Sequence, residues 1–210
     1  MNYSWLNQNK NNKFILFFNG WAMDEDIVKH IKNNDFDILM LNDYRKIDEK
    51  LKEFDFSKYI EKYLICWSMG GYIANKFEFL NSFDKKIAIC STNKIIDDNY
   101  GIPNRIYNLT INNFSDKSKE RFLKNIFLDE KKDIVINRTT KELQDELISI
   151  NDLKVQDCIK FNKAIIAKKD IVVPYKNQMN YWKETNAQIV EIDAPHYVFN
   201  YFQNWDEIIC

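Results

Sequence analysis

Tyr63-Leu-Ile-Cys-Trp-Ser-Met-Gly-Gly71 joins an apolar run of strand length to a serine, two glycines and the start of a helical pattern. Near-continuous apolar character over Tyr63–Trp67 suits a strand covered on both faces, as in a parallel sheet. From Met69 the spacing changes: Met69, Ile73, Phe77 and Leu80 form one stripe of a helix predicted over Met69–Leu80. Ser68 therefore stands at a strand-to-helix turn, beside the free N–H groups of a helix start, where negative charge is favoured. Small residues near it let strand and helix approach closely. The sharp-turn pattern is G-x-S-x-G, and Cys66 occupies its first glycine position. Cysteine is small enough to stand there. Taken alone, the stretch also fits an ordinary strand–helix turn that contains a serine.

Outward from this turn, further apolar runs read as strands: Lys13–Phe18, Asp37–Leu41, Ile87–Cys90, Lys163–Ala167 and Gln188–Ile192. Asp24–Ile31 has helical spacing. Strands alternating with helices predict a parallel α/β domain with right-handed crossovers. The alternation breaks between about Asn93 and Ile159, where the pattern is helical and charged, with turn residues Gly101 and Pro103. A stretch that long is rarely a structureless loop in a compact domain. It is read as a helical cap inserted into a single domain spanning residues 1–210.

Composition narrows the classes. The chain is 45% hydrophobic and 29% charged, an ordinary globular balance. A formal net charge of −1 creates no whole-molecule field for nucleic acid or an anionic membrane, so a charged partner must meet a local patch. Met1–Asn12 is polar and lacks the apolar core of a secretory signal. Apolar runs of strand length fall short of the roughly 20 residues that cross a bilayer. Cys66, Cys90, Cys158 and Cys210 show no C-x-x-C pairing and no metal-type spacing with the two histidines. Cys66 and Cys90 read as small buried hydrophobes. A reducing cytoplasm is the expected setting, and a monomer the expected state.

The chain has only four glycines, and three of them are Gly20, Gly70 and Gly71. Gly20, in Phe17-Phe18-Asn19-Gly20-Trp21, ends the first strong strand. Where a serine on such a turn attacks a carbonyl, that loop supplies one oxyanion N–H and the residue after the serine supplies the other. The donors are therefore assigned to the backbones of Trp21 and Met69. For the base there are two histidines, and His30 falls in the charged helical stretch Val28–Lys32, where it reads as a solvated surface residue. His196 follows a strand and Asp193-Ala-Pro195, and is taken as the base. Asp170, at the end of the Lys163–Ala167 run, is taken as the acid that fixes the histidine tautomer. Asp193 is the competitor, ranked second because it shares the histidine's own loop. Asp24 reads as a helix cap. The resulting order, Ser…Asp…His, is that of the α/β-hydrolase fold, a mostly parallel sheet flanked by helices.

With these residues placed, the chain resembles the BioG-type esterases that act on the pimeloyl-acyl-carrier-protein methyl ester in biotin synthesis. The resemblance is carried by Phe17-Phe18-Asn19-Gly20-Trp21-Ala22-Met23-Asp24, Trp67-Ser68-Met69-Gly70, Gly101-Ile102-Pro103, the run Phe114–Phe127, and Ala194-Pro195-His196. It implies a serine esterase with Ser68, Asp170 and His196 as catalytic residues and Trp21 beside the oxyanion. It also implies no metal or organic cofactor, since acyl transfer through serine needs only a base and oxyanion donors. The implied partner is an acyl carrier protein. A helix over Ser115–Phe127 would set Lys117, Arg121 and Lys124 on one side and Phe122, Leu123, Ile126 and Phe127 broadly opposite, a basic face for an acidic carrier. The alternatives are a solvated amphipathic helix on a general short-chain carboxylesterase or thioesterase, and a non-catalytic binding protein of the same fold.

Overall fold

A computed structural model describes residues 1–128 and 134–210 of the chain. Among these, the strands are β1 (Asn2–Asn7), β2 (Lys13–Phe18), β3 (Phe36–Asn42), β4 (Glu61–Trp67), β5 (Lys85–Ile89), β6 (Lys163–Ala167) and β7 (Gln188–Ile192). They form one sheet in the order β1-β3-β2-β4-β5-β6-β7. Every neighbouring pair is parallel except β1–β3, which is antiparallel. This is the α/β-hydrolase fold. Phe14–Phe18 of β2 are 0% exposed, which is why that run is apolar without interruption. β1 was not read as a strand from the sequence. It lies at the sheet edge and is only half buried, so it needs no continuous apolar run.

Two helical readings need correction. The predicted Met69–Leu80 helix ends early: α1 spans Met69–Ala74, and a short 3₁₀ turn follows at Glu78–Ser82. All four stripe residues, Met69, Ile73, Phe77 and Leu80, are nevertheless buried. The break falls at Asn75, whose side chain donates to the Gly71 carbonyl and accepts from the N–H groups of Cys158 and Ile159. In the predicted helical stretch Asp24–Ile31 only Glu25–Ile27 forms a 3₁₀ turn, with the Asp24 side chain accepting from the Asp26 N–H. The Ile27 carbonyl, which a longer helix would use internally, instead accepts from the Tyr197 hydroxyl at 2.5 Å. His30 is exposed in the turn that follows, with Nε2 3.0 Å from the Phe199 carbonyl oxygen.

Between β5 and β6 lie α2 (Asn104–Asn112), α3 (Asp116–Phe127) and α4 (Thr140–Asp152). Ser115 and Thr139 cap the second and third of these through side-chain bonds to the first turn. Residues 129–133, within the predicted insertion of 93–159, lie outside the described residues. The helices α5 (Tyr175–Trp182) and α6 (Trp205–Ile209) complete the chain. No helix among the described residues is long and apolar enough to cross a membrane.

Contact between α1 and β2 is set by Gly70. A Cβ there would stand 2.3 Å from the Phe18 carbonyl oxygen and 2.8 Å from that of Asn19, both backbone atoms. Gly70→Ala should therefore destabilise the chain by about 1–3 kcal/mol, the usual cost of overpacking. A fall in the urea unfolding midpoint measures it, and an unchanged midpoint would show that α1 is free to shift outward.

Candidate active site

Ser68 follows β4 directly and adopts φ 53°, ψ −125°, a backbone region that costs a non-glycine residue about 1–3 kcal/mol. Hydrogen bonds hold it there. The Ser68 N–H donates to the Ile89 carbonyl at 2.9 Å, and the Ser91 hydroxyl donates to the Ser68 carbonyl at 2.5 Å. The Ser91 hydroxyl occupies the space beside Gly71, where a Cβ would meet it at 2.2 Å. Cys66, at the first position of the turn pattern, is not crowded by this helix start. A Cβ on Gly71 would still lie 3.8 Å from that of Cys66, so the cysteine fits at ordinary contact distance. Burial pushes the Cys66 thiol well above its ordinary pKa, so it stays neutral.

His196, 1% exposed, is reached from the loop after β7. The Ser68 hydroxyl lies 2.9 Å from His196 Nε2, and His196 Nδ1 lies 2.7 Å from Asp170 Oδ2. With an acid that only accepts, Nδ1–H is the donor and Nε2 is left to accept from the serine. Asp170, 4% exposed, follows β6. Its Oδ1 accepts from the N–H groups of Val172 and Val173, and Oδ2 also accepts from Gln178 Nε2 at 2.9 Å. Asp193 points elsewhere: its side chain is 70% exposed and pairs with Lys169. The imidazole is clamped by Trp67, whose indole N–H donates to the His196 carbonyl and whose ring lies 5.3 Å from it. Cys90 Sγ lies within 4.8 Å of ligand atoms on both Asp170 and His196. Both ring nitrogens of that histidine are engaged and burial holds the thiol neutral, so the donor set suits a proton relay better than a metal.

The loop after β2 lies against the serine, since a Cβ on Gly20 would fall 3.4 Å from that of Ser68. Asn19 fixes the loop from within: its Oδ1 accepts from the Gly20 N–H and its Nδ2 donates to the Asp24 carbonyl. Trp21, Ser68 and Met69 line one cavity of about 130 Å³. Its other walls are mostly apolar, with Ile102, Ile106 and Tyr107 near α2, Phe122 on α3, and Leu147 on α4. Arg121 and Asn125 of α3 and Thr110 of α2 supply polar side chains. Lys117, Arg121 and Lys124 are all exposed. Arg121 differs from the other two by also lining the cavity beside Phe122, so the basic and apolar sides of α3 meet there rather than lying fully opposite. A larger hollow of about 240 Å³ around Trp5, Val28 and Trp205 contains no serine, cysteine or histidine in its lining.

The family profile described as "Pimeloyl-ACP methyl esterase BioG" matches residues 1–208. The chain belongs to the BioG family. The crystal structure of BioG from Haemophilus influenzae aligns over 100% of both chains with a TM-score of 0.89 and 27% identity. The enol-lactonase from Burkholderia xenovorans LB400 shares the fold at 12% identity, with a TM-score of 0.66 over 93% of this chain and 89% of that one. A malonyl-[acyl-carrier protein] O-methyltransferase from Bacteroides fragilis is 32% identical over 201 residues, which cover 87% of this chain and 39% of that protein. The chain thus spans about two-fifths of that relative's length.

Asn19, Ser91 and Gln178 went unread in the sequence of this BioG family member, and they have one trait in common. Each is a buried polar residue, and none lies in a motif whose spacing names its partner. Asn19 had the best available signal, since it adjoins one of the chain's rare glycines. Of the two candidate acids, Asp170 contacts His196 and Asp193 pairs with Lys169 instead. Asp170→Asn should slow fluorophosphonate labelling of Ser68 by about 10⁴, the effect of losing a triad aspartate, whereas Asp193→Asn should leave it within twofold. Second-order labelling rates measure both, and the reverse ranking would make Asp193 the acid.

Proposed function

We propose that this chain is a serine esterase that removes the methyl ester from a pimeloyl group carried on acyl carrier protein, a step of biotin synthesis. The observation that carries the reading is the Ser68–His196–Asp170 relay, closed at 2.9 and 2.7 Å beneath a mostly apolar cavity with a cation at its edge. Ser68 Oγ attacks the ester carbonyl while His196 Nε2 takes its proton. The backbone N–H groups of Trp21 and Met69 receive the oxyanion; the Gly20 N–H is already engaged by Asn19. Collapse breaks the bond to the methoxy group, which leaves as methanol with the proton from His196. Water then attacks the acyl-serine with His196 as base, freeing the carboxylate and the serine. Asp170 holds the imidazole in the required tautomer throughout.

The substrate class is supported by family membership and by the cavity walls. An apolar lining suits the methylene chain of a pimeloyl group. Lys117 and Lys124 extend from Arg121 over the outside of α3, a basic stripe at the rim suited to an acidic carrier. On this reading the helices α2–α4 act as a cap. The Bacteroides relative is named for forming a methyl ester on a carrier-bound acid, the kind of bond this chain is proposed to break. Four free cysteines fit work in a reducing cytoplasm.

Two measurements test the reading. Ser68→Ala should fold normally and lose methyl ester hydrolysis by about 10⁴ or more. Near-normal turnover would overturn the mechanism. Neutralising together Lys117 and Lys124, which are exposed on α3 and do not line the cavity, should raise KM for the carrier-linked ester and barely change hydrolysis of free methyl pimelate. The wild-type preference should weaken with salt, as the screening length falls from about 10 Å at 0.1 M to about 3 Å at 1 M. Equal rates on carrier-linked and free esters would favour a general carboxylesterase. Failure of a fluorophosphonate to label Ser68 would favour a non-catalytic binding protein.

A further inference from the structure

The loop that bears Trp21 is tied to α4 once directly and once through Tyr44, from residues within one helical turn. The Trp21 indole N–H donates to the Leu143 carbonyl at 3.0 Å. One turn on, Glu146 projects a carboxylate that is 0% exposed. Its Oε1 accepts from the Tyr44 N–H at 2.8 Å, and its Oε2 accepts from Arg138 Nη1 at 2.7 Å. Tyr44, itself fully buried, brings its hydroxyl within 2.8 Å of the Asn19 carbonyl and 3.0 Å of the Leu41 carbonyl. Asn19 in turn orients the Gly20 N–H that precedes Trp21. A continuous run of contacts therefore leads from a buried charge on α4 to the loop facing Ser68.

Burial drives the Glu146 carboxyl above its ordinary pKa, against the opposing pull of Arg138 and the Tyr44 N–H. Replacing a buried ion pair with apolar side chains is often neutral or stabilising, so stability alone gives little reason for a charge here. The charge does give geometry. Asp43, at φ 55°, begins the turn after β3 and bonds Arg45, which reaches Glu142 of α4 at 3.0 Å. Arg138 lies 3.4 Å from Asp43 as well as bonding Glu146. Two acids of α4 and the Asp43–Arg45 turn are thus interlocked around Tyr44.

We infer that Glu146 is a positioning residue for the Asn19–Trp21 loop, acting through Tyr44 to hold the oxyanion donor of Trp21 in place. The inference rests on the esterase reading for the role of that loop. It gives α4 a part in the chemistry without contact to the reacting atoms. Misplacement of a donor by a fraction of an ångström weakens transition-state binding more than substrate binding, because the developing oxyanion is what the donor meets.

The test uses the full chain with Glu146→Gln and Tyr44→Phe. The first keeps the shape and the acceptor for Tyr44 but turns an amide N–H₂ toward Arg138. The second keeps the buried ring and removes only the hydroxyl. With p-nitrophenyl butyrate as substrate, each variant should lose about tenfold in kcat with KM within about twofold, a partial version of removing an oxyanion donor. Inhibition by phenylboronic acid, which forms a tetrahedral adduct on serine, should weaken by the same factor. The pH at which the acid limb of kcat falls should stay in place, since the relay is untouched. Amide exchange over residues 18–22 should quicken about tenfold while that over 64–70 holds. A folded variant with wild-type kcat and wild-type exchange over 18–22 would overturn the inference, as would a loss confined to KM. If Glu146→Gln does not fold, Tyr44→Phe decides alone. A wild-type chain that turned over no ester would sink the esterase reading, and amide exchange would still decide whether Glu146 holds the loop.

Discussion

The conformation of one residue, Ser68 at φ 53°, dictates much of what surrounds it. A chain leaving a buried strand in that region turns sharply enough to present a side chain beyond the sheet edge and to start a helix at once. The helix must then run back across β2 at close range, which is why position 70 is glycine and why its Cβ would strike two backbone carbonyls. The strained turn is stable because its own backbone groups are fully occupied. Its N–H is bonded to β5, and its carbonyl accepts from both Ser91 and Gly71. Placing the serine hydroxyl therefore has a distributed cost, spread over one uncommon dihedral pair and two glycines that pack nothing of their own.

This constraint also explains which parts of the molecule were legible from the residues alone. Strands inside the sheet are largely buried and so largely apolar, which made β2 to β6 visible as runs, with Lys13–Phe18 and Lys163–Ala167 placed to the residue. The edge strand β7, Gln188–Ile192, was also placed to the residue, through Ile189, Val190 and Ile192. β1, at the opposite edge, escaped because Asn2-Tyr-Ser-Trp-Leu-Asn7 offers no such apolar run. Ser68, His196 and Asp170, which the structure brings into one hydrogen-bonded run, could be picked out because the serine stands before paired glycines, the histidine is one of two in the chain, and the aspartate had an expected place in the order. What the sequence did not disclose is where α-helical hydrogen bonding loses to a tertiary partner. Tyr197 takes the Ile27 carbonyl and Asn75 takes two distant N–H groups, and in each case a helix stops although its apolar spacing continues. Periodicity reports which side of a segment is buried. It is silent about which backbone groups are already spoken for.

The cavity beneath α2–α4 combines two demands that usually conflict. A relay of serine, imidazole and carboxylate works best where water is excluded, because electrostatic interactions strengthen as the local dielectric falls. The acidic carrier proposed as partner, in contrast, would be met at the solvent-exposed surface. In α3 the two are separated by a single step along the helix: Phe122 packs on Trp21 at 4.5 Å between ring centroids, and Arg121 beside it is exposed. Apolar closure and cationic rim thus belong to neighbouring residues of one helix, and neither requires the other to give way.

The carboxylate that meets His196 illustrates why geometry outranks proximity in sequence. Asp193 stands three residues from His196, yet its carboxylate is solvated and held by Lys169. Asp170 is 26 residues away from the histidine and receives bonds from two backbone N–H groups, Gln178 and the imidazole itself. A carboxylate in water gains little by bonding an imidazole, because solvent offers it equivalent donors and screens the charge. One removed from water and fixed by backbone donors cannot turn away, and any positive charge that develops on the ring is met by a ready counter-charge. Gln178 completes the arrangement through one N–H₂ shared between Asp170 Oδ2 and the Val173 carbonyl. The whole acid side of the relay is therefore built from the turn after β6 and the first residues of α5, elements whose positions the sheet already fixes. The Trp21 loop, in contrast, leans on α3 and α4 through Phe122 and the Leu143 carbonyl, so on the proposed reading a change in those helices would reach the oxyanion donor while leaving the Ser68–His196–Asp170 contacts intact.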